Sequence, residues 1–193
     1  MLLLRRGGKH ADRELEVLMV RRAESQSFMP GVWVFPGGVV EPDEEAAGCA
    51  VRELAEETGI ALPPDTELRL WVRWITPEVV PVRFDTQFFV ALAPPHSPPT
   101  PDGHEVDDAG WFTPKGALER HQAGELKLVF PTIRTLETLV PYPTAEAVIE
   151  AARDRAVEAI LPRVVGTREN HRIVLPGEEG YEDGAADVEG LPS

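Results

Sequence analysis

The sequence is short of cysteine, of basic residues and of long apolar runs, and each shortage excludes a class of protein. Cys49 is the only cysteine among 193 residues, so neither an intramolecular disulfide nor a zinc site with several cysteines can form. Lys and Arg number 19 against 33 Asp and Glu, a formal net charge of −14. That balance argues against a general nucleic-acid binder, which presents a basic face. No apolar run approaches the ~20 residues of a membrane span.

The first residues do not resemble an export signal. Residues 1–4 are apolar but are followed at once by Arg5 and Arg6, whereas a signal peptide carries a longer apolar region after its charges. We therefore expect a cytoplasmic protein without a nucleic-acid or membrane partner. Small phosphorylated ligands stay compatible with the acidic chain, because a binding site is local and net charge is global.

Acidic residues are concentrated in two segments. Residues 176–193 contain six acids, four glycines and no Lys or Arg, a composition typical of a flexible tail. Residues 41–57 contain seven acids and a single base, Arg52. Like charges at this density repel one another, and a bound cation would offset the repulsion.

Hydrophobic patterning predicts an α+β fold. Strands mixed with helices, with some strands adjacent in sequence, favour an α/β/α sandwich around a mixed sheet. The apolar stripe of the last helix fits either packing on the sandwich or a homodimer interface, and we expect the homodimer. Strands are predicted at 2–5, 15–22, 32–35, 68–75, 84–92, 109–112 and 172–175, and helices at 43–57 (with Asp43 as its cap), 114–121, 132–140 and 144–161.

The predicted helix at 43–57 presents a set of carboxylates suited to a metal ion. Glu53, Glu56 and Glu57 are spaced i, i+3, i+4 and project from one face. Hard divalent cations prefer oxygen ligands, and Mg²⁺ usually shares its shell with water and substrate phosphates. Arg52 can hold one of these carboxylates with its planar guanidinium.

The same residues match a known motif. Gly38 is followed after five residues by Glu44, and after seven more by the run RELAEETGI at 52–60. This pattern resembles the Nudix box at every fixed position. The resemblance implies a loop–helix–loop that binds Mg²⁺ or Mn²⁺ and hydrolyses a diphosphate bond in a nucleoside diphosphate derivative.

The resemblance also implies roles and boundaries. The metal ligands would be Glu53, Glu56 and Glu57, one of them a candidate general base, with a backbone carbonyl from Gly37 or Gly38 and with Glu44 and Arg52 in a supporting salt bridge. For Glu105 two interpretations stand equal. It is either a metal ligand or base, or an ordinary loop carboxylate. We expect a Nudix domain over 1–140, a helix and short strand packing on it over 141–175, and the tail over 176–193.

Upstream residues resemble the coenzyme A diphosphatase branch of the family. Residues 18–23, Gly31 and 35–38 have the spacing of its signature, although Ser27 stands where an Arg is usual. Further similarity to the peroxisomal, acyl-CoA-cleaving subgroup lies in 28–30, 74–77 and 83–86.

Two arginines in these segments are candidate phosphate clamps. Arg22 and Arg83 can each hold phosphate oxygens bidentately, and the alternative for both is an ordinary surface ion pair. The resemblance implies cleavage of coenzyme A or acyl-CoA into 3′,5′-ADP and (acyl)phosphopantetheine. The Ser27 departure keeps an ADP-ribose or NADH diphosphatase as an alternative. A non-catalytic Nudix-fold ligand-sensing module is a third hypothesis, although it would not need all its carboxylates.

Overall fold

The computed structural model describes residues 1–7, 14–167 and 170–182 of the chain. Across these residues it contains nine strands and four helices, the α+β class expected from the patterning. The strands are β1 (Leu2–Arg6), β2 (Leu15–Arg22), β3 (Trp33–Val34), β4 (Arg69–Ile75), β5 (Asp85–Leu92), β6 (Val106–Phe112), β7 (Ala159–Ile160), β8 (Arg163–Thr167) and β9 (Asn170–Val174). The helices are α1 (Ala46–Thr58), α2 (Pro114–Gln122), α3 (Phe130–Leu139) and α4 (Ala145–Arg153).

Two expectations from the sequence concern membrane-spanning helices and the C-terminal tail. No helix among the described residues combines the length and the apolar content of a membrane-spanning segment. The predicted flexible tail falls mostly on residues 183–193, which lie outside the described residues.

The first compact unit comprises Met1–Arg69 and Phe89–Arg155, and its sheet is built around β1 and β2. β1 pairs antiparallel with β2 and parallel with β5, while β2 also pairs antiparallel with β3 and β6. Residues 2–4 and 17–20 are fully buried, since strands covered on both faces carry continuous apolar runs. Helix α2 packs on β2 and α3, and α4 packs on β1. The unit therefore contains the mixed sheet that the sequence predicts.

The second compact unit comprises Leu70–Phe88 and the described residues from Ala156 onward. In it β4 and β7 pair in parallel, and β8 and β9 pair antiparallel. Trp71 and Trp74 of β4 are buried. The domain boundaries at 140 and 175 stay a prediction.

Helix α1 begins three residues later than the sequence predicts. Asp43, the expected cap, has φ 67°, a left-handed conformation that a capping residue does not adopt. Glu45 is the N-cap instead and makes no side-chain cap hydrogen bond. The helix ends as predicted, because Gly59 takes φ 69° and its N–H donates to the carbonyl of Ala55.

Helix α4 ends at Arg153, so the predicted helix over 144–161 is too long. Thr144 caps its start by accepting from the N–H of Ala147, but Ile160 belongs to strand β7. The apolar stripe of α4, which includes Val148 and Ile149, is buried within a single chain. The stripe therefore packs on the chain's own sheet, as one of the two alternatives has it, and the homodimer stays a prediction.

Candidate metal centre

Three carboxylates of the first unit converge at the end of α1. Glu53 and Glu57 come from the helix and Glu105 from the loop that leads into β6, and each offers an oxygen within 4.8 Å of the other two. An all-oxygen set of this kind is what Mg²⁺ and other hard divalent cations prefer. The donor set therefore fits the metal that the Nudix resemblance implies.

Glu57 is the buried member of this cluster, with a relative exposure of 4 %. The pKa of its carboxyl is raised to about 7, mainly by burial and in addition by the negative charges of Glu53 and Glu105. The N–H of Gly37 donates to Glu57 Oε2 at 3.0 Å and opposes that rise. A group with this pKa exchanges a proton for a cation near neutral pH.

Gly38 makes room for Glu53. A Cβ at this position would lie 2.3 Å from Glu53 Oε1, so a residue with a side chain would displace that carboxylate. The carbonyl of Gly38 accepts from the thiol of Cys49 over 3.7 Å. The carbonyl ligand expected from Gly37 or Gly38 stays a prediction, whereas the geometry gives these glycines a donor and a spacer role.

Arg52 organises the remaining acids of the segment. Its Nε and Nη2 donate to the two oxygens of Glu44 at 3.0 and 2.9 Å, the salt bridge that the motif implies. Its Nη1 donates to Glu53 at 2.8 Å and to Glu56 at 2.9 Å. The hydrogen bonds from Arg52 lower the pKa of Glu44 to about 2, with help from the N–H of Glu41. The guanidinium of Arg52 thus binds three of the acidic residues of segment 41–57.

Glu56 is placed differently from the other two helix carboxylates. Its side chain is 59 % exposed and pairs with Arg52, and its oxygens are not part of the three-carboxylate group. The i, i+3, i+4 spacing puts Glu56 on the same side of the helix as Glu53 and Glu57, but its side chain is more exposed to solvent. Its role as a metal ligand stays a prediction.

The two candidate phosphate clamps lie in different units. Arg22 ends β2 in the first unit, where its Nε donates to the carbonyl of Phe28 at 3.0 Å. Arg83 belongs to the second unit, and its Nε donates to the carbonyl of Thr76 at 3.2 Å. Both hold carbonyls in the structure, so phosphate binding by either one stays a prediction.

Asp102, whose side chain shapes the turn that carries Glu105, is not among the residues predicted from the sequence. The signal was available, since Asp102–Gly103 is a dipeptide typical of turns. The structure also shows a bond that the sequence does not predict, from the N–H of Ala23 to the carbonyl of Glu105 at 2.9 Å. That bond joins the loop after β2 to the carboxylate cluster.

Comparison with known proteins gives a consistent family. The model of the NUDIX domain matches residues 2–130. Putative nudix hydrolase 7 of Caenorhabditis elegans is 30 % identical over 162 residues, which are 64 % of this chain and 55 % of that protein. The m7GpppN-mRNA hydrolase NUDT17 of Danio rerio is 52 % identical over 50 residues, 26 % of this chain and 17 % of that protein.

A solved structure supports the same assignment. A NUDIX hydrolase from Alicyclobacillus acidocaldarius superposes with a TM-score of 0.66 at 31 % identity, covering 77 % of this chain and 92 % of that one. The chain spans about half the length of the nematode relative and less than a fifth of the fish relative. The matched family segment includes the whole carboxylate cluster and the sheet strands around it. The chain belongs to the NUDIX domain family.

Proposed function

We propose that the protein is a divalent-metal-dependent diphosphohydrolase that cleaves coenzyme A or an acyl derivative into 3′,5′-ADP and (acyl)phosphopantetheine. The observation that carries the reaction class is the convergence of Glu53, Glu57 and Glu105 on one point at the Nudix helix. Bound Mg²⁺ or Mn²⁺ would neutralise diphosphate charge and activate a water molecule.

The protein's own residues hold and orient this site. The carboxylates of Glu53, Glu57 and Glu105 would hold the cation, and one of the three accepts a proton from the attacking water. Arg52 fixes the carboxylate of Glu53 through its Nη1, and Glu44 fixes Arg52 in turn. Because little covalent chemistry falls to the protein in phosphoryl transfer, positioning of this kind is its main contribution.

The substrate choice rests on the loop after β2. This loop carries the resemblance to the coenzyme A branch, and its Ala23 is hydrogen-bonded to the backbone of Glu105. It also exposes Phe28 and Met29, at 52 % and 40 %, beside the carbonyl that holds Arg22. A loop with apolar side chains near a guanidinium suits a substrate that joins a phosphate to an apolar arm.

A substrate panel tests the proposal. The purified protein is incubated with Mg²⁺ or Mn²⁺ and with coenzyme A, several acyl-CoAs, ADP-ribose, NADH and a capped RNA, and the products are separated by chromatography. We expect 3′,5′-ADP from the coenzyme A compounds. Cleavage of another compound without cleavage of these would contradict the substrate and keep the reaction class.

The second candidate is an ADP-ribose or NADH diphosphatase, which is favoured by Ser27 in place of the signature arginine. In the same panel it yields AMP as a product and leaves coenzyme A intact. A ligand-sensing module without turnover is separated by Glu57→Gln. That variant loses turnover if the protein is an enzyme, whereas in a sensing module no compound is cleaved by either form and ligand affinity is unchanged.

A further inference from the structure

The turn that carries Glu105 is organised by a single carboxylate. Asp102 Oδ1 accepts from the backbone N–H groups of His104 at 3.2 Å, Glu105 at 3.1 Å and Val106 at 2.9 Å. Its Oδ2 accepts from the N–H of Glu105 as well, at 3.1 Å. The N–H of Gly103, which has φ 76°, donates to the carbonyl of Val106 and closes the turn. One side chain thus satisfies three successive backbone donors.

This turn is anchored on the helix side of the site. The N–H of Asp102 donates to the carbonyl of Glu57 at 3.3 Å, and the N–H of Thr100 donates to the carbonyl of Thr58 at 2.8 Å. Both acceptors belong to the last turn of α1, which also carries the buried carboxylate of the cluster. The backbone of the turn is therefore registered directly against the helix.

The other side of the turn is anchored on the loop after β2. The carbonyl of Glu105 accepts from the N–H of Ala23 at 2.9 Å, and the carbonyl of His104 accepts from Gln26 Nε2 at 3.1 Å. The turn consequently connects helix α1 to the loop after β2.

We propose that Asp102 is a positioning residue that holds Glu105 at the metal centre. Glu53 and Glu57 stand on a helix whose own hydrogen bonds fix them, whereas Glu105 is an exposed residue on a turn. A ligand on a loop keeps a metal geometry when the supporting residues hold its backbone. Asp102 is not part of the three-carboxylate group, so it would do this through the backbone of the turn and not as a ligand. The inference rests on the proposal that the three carboxylates bind a divalent cation.

Two measurements on one set of variants test this role. The dissociation constant for Mn²⁺ is measured by electron paramagnetic resonance, and kcat/KM is measured on the best substrate of the panel. Asp102→Ala should weaken Mn²⁺ binding and lower kcat/KM, each by about 10-fold to 100-fold, as for other residues that support metal ligands. Asp102→Asn should stay within about 3-fold, because its amide oxygen replaces Oδ1 as acceptor. Asp65→Ala, in an exposed turn between α1 and β4, is the matched control.

A double-mutant cycle separates positioning from a general effect on the fold. In a Glu105→Gln background the further change Asp102→Ala should alter Mn²⁺ affinity by less than about 2-fold, because the group it positions is already lost. An equal loss in both backgrounds, or wild-type affinity in Asp102→Ala, would overturn the proposal. If Asp102→Ala does not fold by circular dichroism, Asp102→Glu replaces it, and wild-type Mn²⁺ affinity in that variant overturns the proposal too.

The Mn²⁺ measurement keeps this inference distinct from the proposed function. If the wild-type protein cleaves no diphosphate but Asp102→Ala weakens Mn²⁺ binding, the proposed enzyme activity is contradicted and the positioning role is supported. A wild-type protein that binds neither Mn²⁺ nor Mg²⁺ would contradict both.

Discussion

The Glu57 carboxyl group has a raised pKa because three influences act on it in one direction. It is buried, and two further carboxylates face it within 4.8 Å. The N–H of Gly37 only partly compensates. Replacing the proton of such a carboxyl by a divalent cation is favourable, since the cation attracts all three carboxylates and its two positive charges offset most of their negative charge.

In metal-free protein, Glu57 should make stability fall as the pH rises. Its pKa is about 7 in the folded chain against 4.5 in the unfolded chain, so the folded state binds more protons between these values. The stabilising contribution is complete below pH 4.5 and is lost as the pH rises through 7. It amounts to about 3 kcal/mol at most.

Chemical unfolding in EDTA between pH 4 and 8 measures this effect as the difference between wild type and Glu57→Gln. The glutamine does not titrate, and ionisable groups that do not interact with Glu57 cancel in the difference. The N-terminal ammonium of Met1, whose pKa the charge of Glu57 raises, contributes to the measured change together with Glu57. We expect wild type to lose stability relative to the variant across this range. A difference that does not change with pH would contradict the assigned pKa.

Arg52 is the residue on which the order of the acidic segment depends. Arg52→Ala should lower kcat/KM by about 10-fold to 100-fold, because Glu44 and Glu53 lose the group that holds them. Arg52→Lys should recover little, since an ammonium cannot replace a fork that binds both oxygens of Glu44. Steady-state kinetics on the three proteins measure the effect. Arg120→Ala, which breaks an exposed pair with Glu125, serves as the control, and an equal loss there would refute the special role of Arg52.

At the scale of elements, the described helices and strands show which features are readable from local sequence. The apolar runs of β1 and β2 identify central strands, and Gly59 identifies the end of α1, because each depends on neighbours in sequence. The start of α1 differs from the prediction because the left-handed backbone of Asp43 is not visible in its residue type. The apolar spacing of α4 continues to Ile160 by coincidence, so the end of that helix was misplaced.

The same distinction between local and long-range contacts applies to the residues of the site. Glu53 and Glu57 are found from their i, i+4 spacing, which a helix converts into proximity. Glu105 joins them only through the turn built by Asp102 and through its bond to Ala23. Contacts of that kind connect distant parts of the chain and leave no periodic pattern.

Two glycines on either side of the start of α1 should respond oppositely to alanine. Gly48 lies in the helix, and its added Cβ would meet Glu44 Cγ at an ordinary 3.7 Å. Gly48→Ala should therefore raise the free energy of unfolding by about 0.5–1 kcal/mol. Gly38→Ala should weaken Mn²⁺ binding by about 10-fold or more, because its Cβ would displace Glu53.

Thermal unfolding and Mn²⁺ titration of both variants measure these effects, and each variant is the control for the other. Gly48→Ala should keep Mn²⁺ affinity within about 2-fold of wild type, as no ligand moves. Unchanged affinity in Gly38→Ala would show that Glu53 relaxes around the added methyl group and would contradict the spacer role.

At the scale of the whole molecule, the net charge of −14 has local parts with different consequences. In the segment 41–57, Arg52 pairs with three acids, while Glu53 and Glu57 remain directed toward Glu105. The carboxylate cluster is thus a local excess of negative charge within an acidic chain. A cation is the one component of the proposed complex whose charge can reconcile this site with an anionic ligand.

Ligand binding should therefore require the divalent cation and not only a reduction of charge repulsion. Titration calorimetry with 3′,5′-ADP, a proposed product that is not consumed, should show binding in Mg²⁺ and at least about 10-fold weaker binding in EDTA. Raising the salt to 1 M shortens the screening length to about 3 Å and so removes the repulsion by the distant acids. It should not restore affinity in EDTA, because phosphate oxygens need a cation that contacts them. Restored affinity in high salt would mean that the net charge, and not a bridging metal, limits binding. Equal affinity in EDTA and in Mg²⁺ would mean that the metal has no part in ligand recognition.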